Sequence, residues 1–364
     1  MADPRIEQYA HILLDQCLHI EPRQQVIVVG TPLGRPLVQE AVRQIARKGA
    51  YALVRVSFGG GTGAVDGTWI REAPEDVLRE PAPIERYTFE QADALVAVSA
   101  PENTREAADI PAERTALVQE AYRPALERLV SGDLPWVGCQ FPCPALAQDA
   151  GMSLGQFEEF LYGACLLDWE AEGRRMRRYA DAFDAAREVR IVGEETDLTL
   201  SLEGRQARVD AGGANIPGGE FFFSPVEDSA EGTIAFTEFP AVLFGRDLAG
   251  IRLRFEGGRV VDASASRNEE YLLQTLDTDE GARRIGELGI GCNPGITRYM
   301  NNTLFDEKMD GTVHIALGKG FSFIGGSNES AIHWDIVKDL RNGGRIELDG
   351  EIVQRNGEWL IARS

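Results

Sequence analysis

Histidine is scarce in this chain, with four among 364 residues, and several other features are missing. No apolar run approaches the ~18 residues that a membrane-spanning helix needs. The opening stretch MADPRIEQYAHILLDQ lacks the basic and apolar regions of a secretory signal. Positive charge is in deficit: 37 Lys and Arg stand against 58 Asp and Glu, a formal net charge of -21 that repels nucleic acid and anionic membranes. The expectation is a soluble, cytoplasmic protein with no nucleic acid or membrane partner. The five cysteines are odd in number and scattered, which argues against a disulfide framework. Cys139 and Cys143 of the CQFPC segment lack the second close pair that a zinc ribbon needs, so they read as buried small side chains.

What is present is ample apolar material, 43% of residues, in a length that holds two or three domains at about 100–200 residues each. Short β-rich runs at Gln25–Thr31, Ala52–Ser57, Ala94–Ser99 and Trp136–Cys139 alternate with helical patterns, including one from about 114 to 130. That alternation predicts an α/β domain with a parallel sheet covered by helices on both faces. A helical stretch over 153–186 closes this half. Near Arg187 the texture changes to short strands separated by Gly-bearing turns, among them Val189–Val192, Asp197–Leu202, Thr233–Phe236, Ile251–Phe255 and Arg259–Ala263. The expectation is an N-terminal domain over 1–185 and an α+β, mostly antiparallel, metal-binding domain over 186–364.

Three motifs carry less chemistry than their spacing suggests. Gly151-Met-Ser-Leu-Gly155 matches the G-x-S-x-G of a hydrolase nucleophile elbow, but no strand precedes it, and Ser153 with Gln156 makes a helix capping box instead. Phe58-Gly-Gly-Gly-Thr-Gly63 has no following lysine and neither phosphate-binding spacing, so it reads as a loop. His11 and His19 fall in an amphipathic first helix and receive no role.

The other two histidines lie close together in the second half. In Val313-His-Ile-Ala-Leu-Gly318 a strand period puts His314, Ala316 and Gly318 on one face and Val313, Ile315 and Leu317 on the core side. Ile332-His-Trp-Asp-Ile336 repeats the design, so His333 and Asp335 point the same way and can bind one divalent ion together. Two half-buried strands could simply carry polar residues outward. Against that stand half of a scarce residue type in one Gly-rich region, and acidic companions at Glu287, Glu307 and Glu220, the last at the end of a Pro-Gly-Gly turn. Mixed imidazole and carboxylate donors suit Zn, Co, Mn or Fe(II) better than Ca or Mg.

Taken in order, Asn215-Ile-Pro-Gly-Gly-Glu220, Gly286-Glu287, Asn302-Thr-Leu-Phe-Asp-Glu307, His314-Ile-Ala-Leu-Gly318 and Ile332-His-Trp-Asp335 resemble the metallo-aminopeptidase family typified by aminopeptidases T and S. The resemblance implies a metalloprotease, a homodimer, that removes N-terminal residues from peptides through a water activated by two divalent ions per chain, Zn, Co or Mn. It places the ligands on Glu220, Glu287, Glu307, His314, His333 and Asp335, with Glu287 also moving the proton. Seven residues after its first site histidine that family has a tyrosine, where this chain has Phe321; Tyr299 is the nearby hydroxyl that could replace it. Ring-opening dioxygenases of dihydroxypyridines share the fold, and there His314, His333 and Asp335 would hold a single Fe(II) as the alternative.

Overall fold

A computed structural model describes residues 3–58, 65–243 and 246–361, so Gly59–Gly63 of the glycine-rich loop lie outside the described residues. The chain divides into two compact units: Met1–Leu167 with Gly212–Pro217, and Asp168–Ala211 with Gly218–Ser364. Among the described residues no helix is long and apolar enough to cross a membrane.

The first unit is the α/β layer structure that the alternating pattern predicts. Strands Tyr51–Val56, Gln25–Gly30, Ala94–Ser99 and Trp136–Gln140 pair in that order, all parallel, and the short strand Asn215–Ile216 joins the last of them. Ile27 and Val29 enter an apolar cluster with Ile70, Leu78, Phe89 and Val118 from the following helices and Leu134 from the turn before the strand Trp136–Gln140. Helix Arg35–Arg47 packs on the first two strands through Leu37, Ala41 and Ile45, outside that cluster, so both faces are covered.

Local details depart from the sequence pattern where particular residues intervene. The helical stretch over 114–130 is two helices, Ala112–Ala121 and Arg123–Ser131, because Pro124 starts a new helix instead of continuing the old one. The first helix ends at His11 and continues as a π-helical turn, Ile12–Cys17, which leaves His19 outside at φ +50°. Ser153 caps helix Leu154–Cys165 through both halves of the capping box with Gln156, consistent with its structural assignment. Cys139 and Cys143 are buried free thiols.

In the second unit an eight-stranded sheet and a five-stranded sheet contribute to one apolar cluster. Helix Trp169–Asp184 belongs to this unit, so the change of packing falls one helix before the change of sequence texture near 185. The reason is its apolar face: Met176, Tyr179, Ala180 and Phe183 enter the same cluster as Phe221 and Phe223.

A candidate metal centre on one face of the antiparallel sheet

The five-stranded sheet runs in the order His333–Asp339, Thr312–Gly318, Ile285–Gly291, Glu220–Phe223, Arg208–Asp210, with every pair antiparallel. Its register aligns the candidate ligands. Gly318 stands opposite His333, Ala316 opposite Asp335 and also Glu287, His314 opposite Gly289, and Gly291 opposite Glu220. Because side chains alternate across a strand, His314, His333, Asp335, Glu287 and Glu220 all share one face. The opposite face carries Val313, Ile315, Leu317, Leu288, Ile290, Phe221, Phe223, Trp334 and Ile336 into the apolar cluster. That core fixes the register, since a one-residue slip would bury the charged face.

Two glycines make room at this face. Gly219 adopts φ +117° as the chain enters the Glu220 strand, and a Cβ there would lie 2.5 Å from Cβ of Asn293. The close approach permitted by the Pro-Gly-Gly turn is therefore to the 292–293 backbone, and Cys292 N donates to Gly219 O at 2.7 Å. At Gly289 an added Cβ would stand 1.9 Å from Cε1 of His314, so the absent side chain is the space in which the imidazole lies.

Both imidazoles are oriented by main-chain carbonyls. Nδ1 of His314 donates to Glu307 O at 3.0 Å, and Nδ1 of His333 donates to Lys319 O at 2.8 Å. In a neutral ring each bond fixes the proton on Nδ1 and leaves the Nε2 lone pair free for a ligand. Both Nε2 atoms face carboxylates. His314 Nε2 is 3.4 Å from Glu220 Oε2 and 3.4 Å from Glu287 Oε1; His333 Nε2 is 3.2 Å from Glu287 Oε2 and 3.6 Å from Asp335 Oδ1.

Among the described residues these atoms form two groups in which every donor lies within 4.8 Å of the others: Glu220, Glu287 and His314; and Glu287, His333 and Asp335. Glu287 belongs to both. Glu307 belongs to neither; its Oε1 engages the ammonium of Lys308, which also lies 3.2 Å from Glu220 Oε1. Lys308 is fully buried, and the sequence reading missed it. A lysine beside a glutamate reads as a solvated pair, and only its burial reveals otherwise.

The electrostatics of the centre without an ion are those of crowded buried charge. Burial pushes the Glu220 carboxyl up to about 8, against the pull of Lys308. Burial also raises Glu307, with the Asp335 charge adding to it. Burial disfavours the imidazolium form of His314, yet Glu287 and Glu220 lift it to about 10; His333 is lifted to about 11 by Asp335 and Glu287 against the same penalty. Burial would raise Asp335, but the hydrogen bond from His333 and the charges of His314 and His333 hold it below its ordinary value.

A divalent ion fits this donor set. Glu220 Oε2 is buried with no hydrogen-bond donor, two Nε2 atoms converge on carboxylates, and the mix of imidazole and carboxylate suits Zn, Co, Mn or Fe(II). Phe321 sits beside the centre, its ring centroid 4.9 Å from that of His333, in contact with Phe222 and Phe323. The Tyr299 hydroxyl is engaged elsewhere, donating to Pro240 O at 2.8 Å.

The family model described as thermophilic metalloprotease (M29) matches residues 2–359. Aminopeptidase T of Thermus thermophilus is 29% identical over 415 aligned positions that cover 98% of each chain. The solved structure of wild-type AmpT from Thermus thermophilus superposes with a TM-score of 0.83 at 26% identity, covering 98% of this chain and 99% of that one. A 2,5-dihydroxypyridine dioxygenase from Pseudomonas putida KT2440 superposes with a TM-score of 0.64 at 17% identity over 99% of this chain and 97% of its own, a likeness of fold.

Proposed function

The chain belongs to the thermophilic metalloprotease family (M29), and from that premise we propose that it is a metal-dependent aminopeptidase whose centre holds two divalent ions per chain, Zn, Co or Mn. The observation that carries the two-ion reading is the pair of donor groups joined at Glu287. Glu220, Glu287 and His314 would hold one ion; Glu287, His333 and Asp335 would hold the other. Bound there, the ions would lower the pKa of water and polarise the scissile carbonyl.

The remaining tasks fall to the chain's own groups. The main-chain carbonyls of Glu307 and Lys319 keep both Nε2 lone pairs aimed at the centre. A free N-terminal amine is what distinguishes an aminopeptidase substrate from a blocked one. A carboxylate offers about four lone-pair positions, so Glu287 can serve both groups and still accept a proton at an oxygen for delivery to the leaving amine. The sequence resemblance also named Glu307 as a ligand. Its Oε1 is engaged by Lys308, which leaves Oε2 for that role, and metal content of Glu307→Gln tests it.

A homodimer in the cytoplasm completes the proposal; five cysteines with no disulfide among them suit a reducing compartment. Light scattering and cell fractionation test these two points. The activity is tested with aminoacyl anilides, free and N-acetylated, on chelator-stripped protein reloaded with Zn, Co or Mn. Hydrolysis of the free amine substrate alone, with two ions bound, is the expected result. A single iron per chain with oxygen uptake on a dihydroxypyridine would overturn it in favour of the dioxygenase alternative.

A further inference from the structure

Lys308 is the one fully buried ammonium that touches the candidate ligands among the described residues, and it takes Glu220 Oε1 at 3.2 Å and Glu307 Oε1 as partners. Two consequences follow from that placement. First, Glu220 has only Oε2 left to offer, so it can bind an ion through one oxygen and not both. An ammonium donating to its other oxygen also draws charge away from the one that remains. Second, Lys308 shifts the charge balance. The four carboxylates Glu220, Glu287, Glu307 and Asp335 with one ammonium carry three net negative charges when both imidazoles are neutral, and Asp210, opposite Glu220 in the sheet and acting on Lys308, adds a fourth. One divalent ion leaves two of these charges, and a second neutralises the centre. Among the described residues Lys308 makes no ion pair with the Glu287–His333–Asp335 group, reaching Asp335 only as a weaker charge, and His333 is the most open member of that group.

We infer that Lys308 is a built-in cation of the metal centre that makes its two metal positions unequal, the Glu287–His333–Asp335 position filling first and tightly, and the Glu220–Glu287–His314 position filling second and exchangeably. The inference rests on the two-ion reading of the centre. It assigns Lys308 a positioning role: it acts on the second ion through Glu220 and on the overall charge, and it has no place in the proton transfer. The same lysine anchors Glu307, whose carbonyl orients His314, so the fixed cation and the ligand geometry of the weaker position are built from adjacent residues.

The test is calorimetric titration of the chelator-stripped full chain with Zn2+, paired with metal analysis after dialysis. For the parent, a first ion at least about tenfold tighter than the second is expected, with one ion retained on dialysis, since charges within a few ångströms in a buried site interact at this scale or above. Lys308→Gln keeps a donor to Glu220 without the charge, and it should tighten the second ion about tenfold or more while leaving the first within about threefold. Lys308→Met should act in the same direction, and near-ultraviolet circular dichroism establishes that each variant is folded. Two equal ions in the parent, or a second-ion affinity that neither variant changes or that both weaken, overturns the inference while the two-ion reading stands. A single ion in the parent and in both variants overturns the two-ion reading and the inference with it.

Discussion

Gly289 and His314 face each other across an antiparallel strand pair, and the imidazole occupies the space where a side chain at residue 289 would stand. A methyl group placed there would meet Cε1 at 1.9 Å and Nε2 at 2.0 Å, far inside van der Waals contact. Gly289→Ala must therefore displace the ring, and with it the Nε2 lone pair, from Glu220 and Glu287. Loss of an orienting constraint of this kind typically costs 10–100-fold in metal affinity or activity. The expected outcome is a folded protein with that loss, measured as Zn2+ affinity beside a thermal melt. Unchanged affinity would show that the ring has room elsewhere.

His333 and Asp335 lie at the more open end of the centre, at the start of the strand His333–Asp339, while Trp334 and Ile336 hold that strand to the core. His333→Ala or Asp335→Asn should abolish hydrolysis of aminoacyl anilides while leaving the protein folded, because the apolar residues on the other face of the strand hold it to the core. Glu287→Gln should be at least as severe for metal content, since it removes a donor from both groups at once. Near-normal turnover in either of the first two variants would remove this strand from the site.

The pH dependence of the metal-free protein follows from the crowded charge. His314 and His333 bind their protons more tightly folded, at about 10 and about 11, than at the ordinary value of 6.5. Glu220, at about 8 against 4.5, has the same sign. A folded pKa above the unfolded one contributes stability that is complete below the unfolded value and lost as pH rises through the folded one. Metal-free protein should therefore lose stability from about pH 6.5 upward, and Glu220 should begin that loss nearer pH 4.5. Metal binding requires deprotonated ligands and strengthens over the same range. Melting temperatures at pH 6, 7.5 and 9, with chelator or with stoichiometric zinc, should diverge as pH rises; parallel curves would contradict the assignment.

The ligand strands were legible because a strand's period of two is local. Val313, Ile315 and Leu317 on one side, and Ile332, Trp334 and Ile336 on the other, announce which way His314, His333 and Asp335 point. Strand order was not legible. The neighbours of Ile285–Gly291 are Thr312–Gly318 and Glu220–Phe223, the latter more than sixty residues away, and pairing at such distance depends on the whole core. Gly289 was hidden among 39 glycines, since its role appears only when its partner across the ladder is known. Lys308 was hidden for the opposite reason: its sequence neighbours suggest solvent, whereas a fold that gathers four carboxylates stabilises a buried cation. His314 is only 1% exposed, so the inner half of the centre is a buried polar site, which a period of two does not reveal.

Phe321 is where this chain parts from the tyrosine of the family it resembles, and the structure gives the position a definite setting. Its amide donates to Ser224 Oγ at 2.9 Å, and Ser224 Oγ donates in turn to Gly286 O at 2.8 Å, next to Glu287. The ring is thus tied to the site strand, half-buried beside His333 rather than turned into the core. If a hydroxyl at this position serves the oxyanion in hydrolysis, the chain lacks a contact typically worth about 2.7–4 kcal/mol, or 10²–10³ in rate. Phe321→Tyr should then raise the turnover of aminoacyl anilides toward that range with metal content unchanged. Tyr299 does not supply the missing group in this arrangement, because its hydroxyl donates to Pro240 O and lies 3.1 Å from Asn301 Oδ1 while its ring stacks on Phe239. Tyr299→Phe should therefore leave turnover within about threefold of the parent, a change of under 1 kcal/mol in the barrier. A large loss in Tyr299→Phe, with no gain in Phe321→Tyr, would mean that the loop carrying Tyr299 rearranges to deliver its hydroxyl when substrate binds.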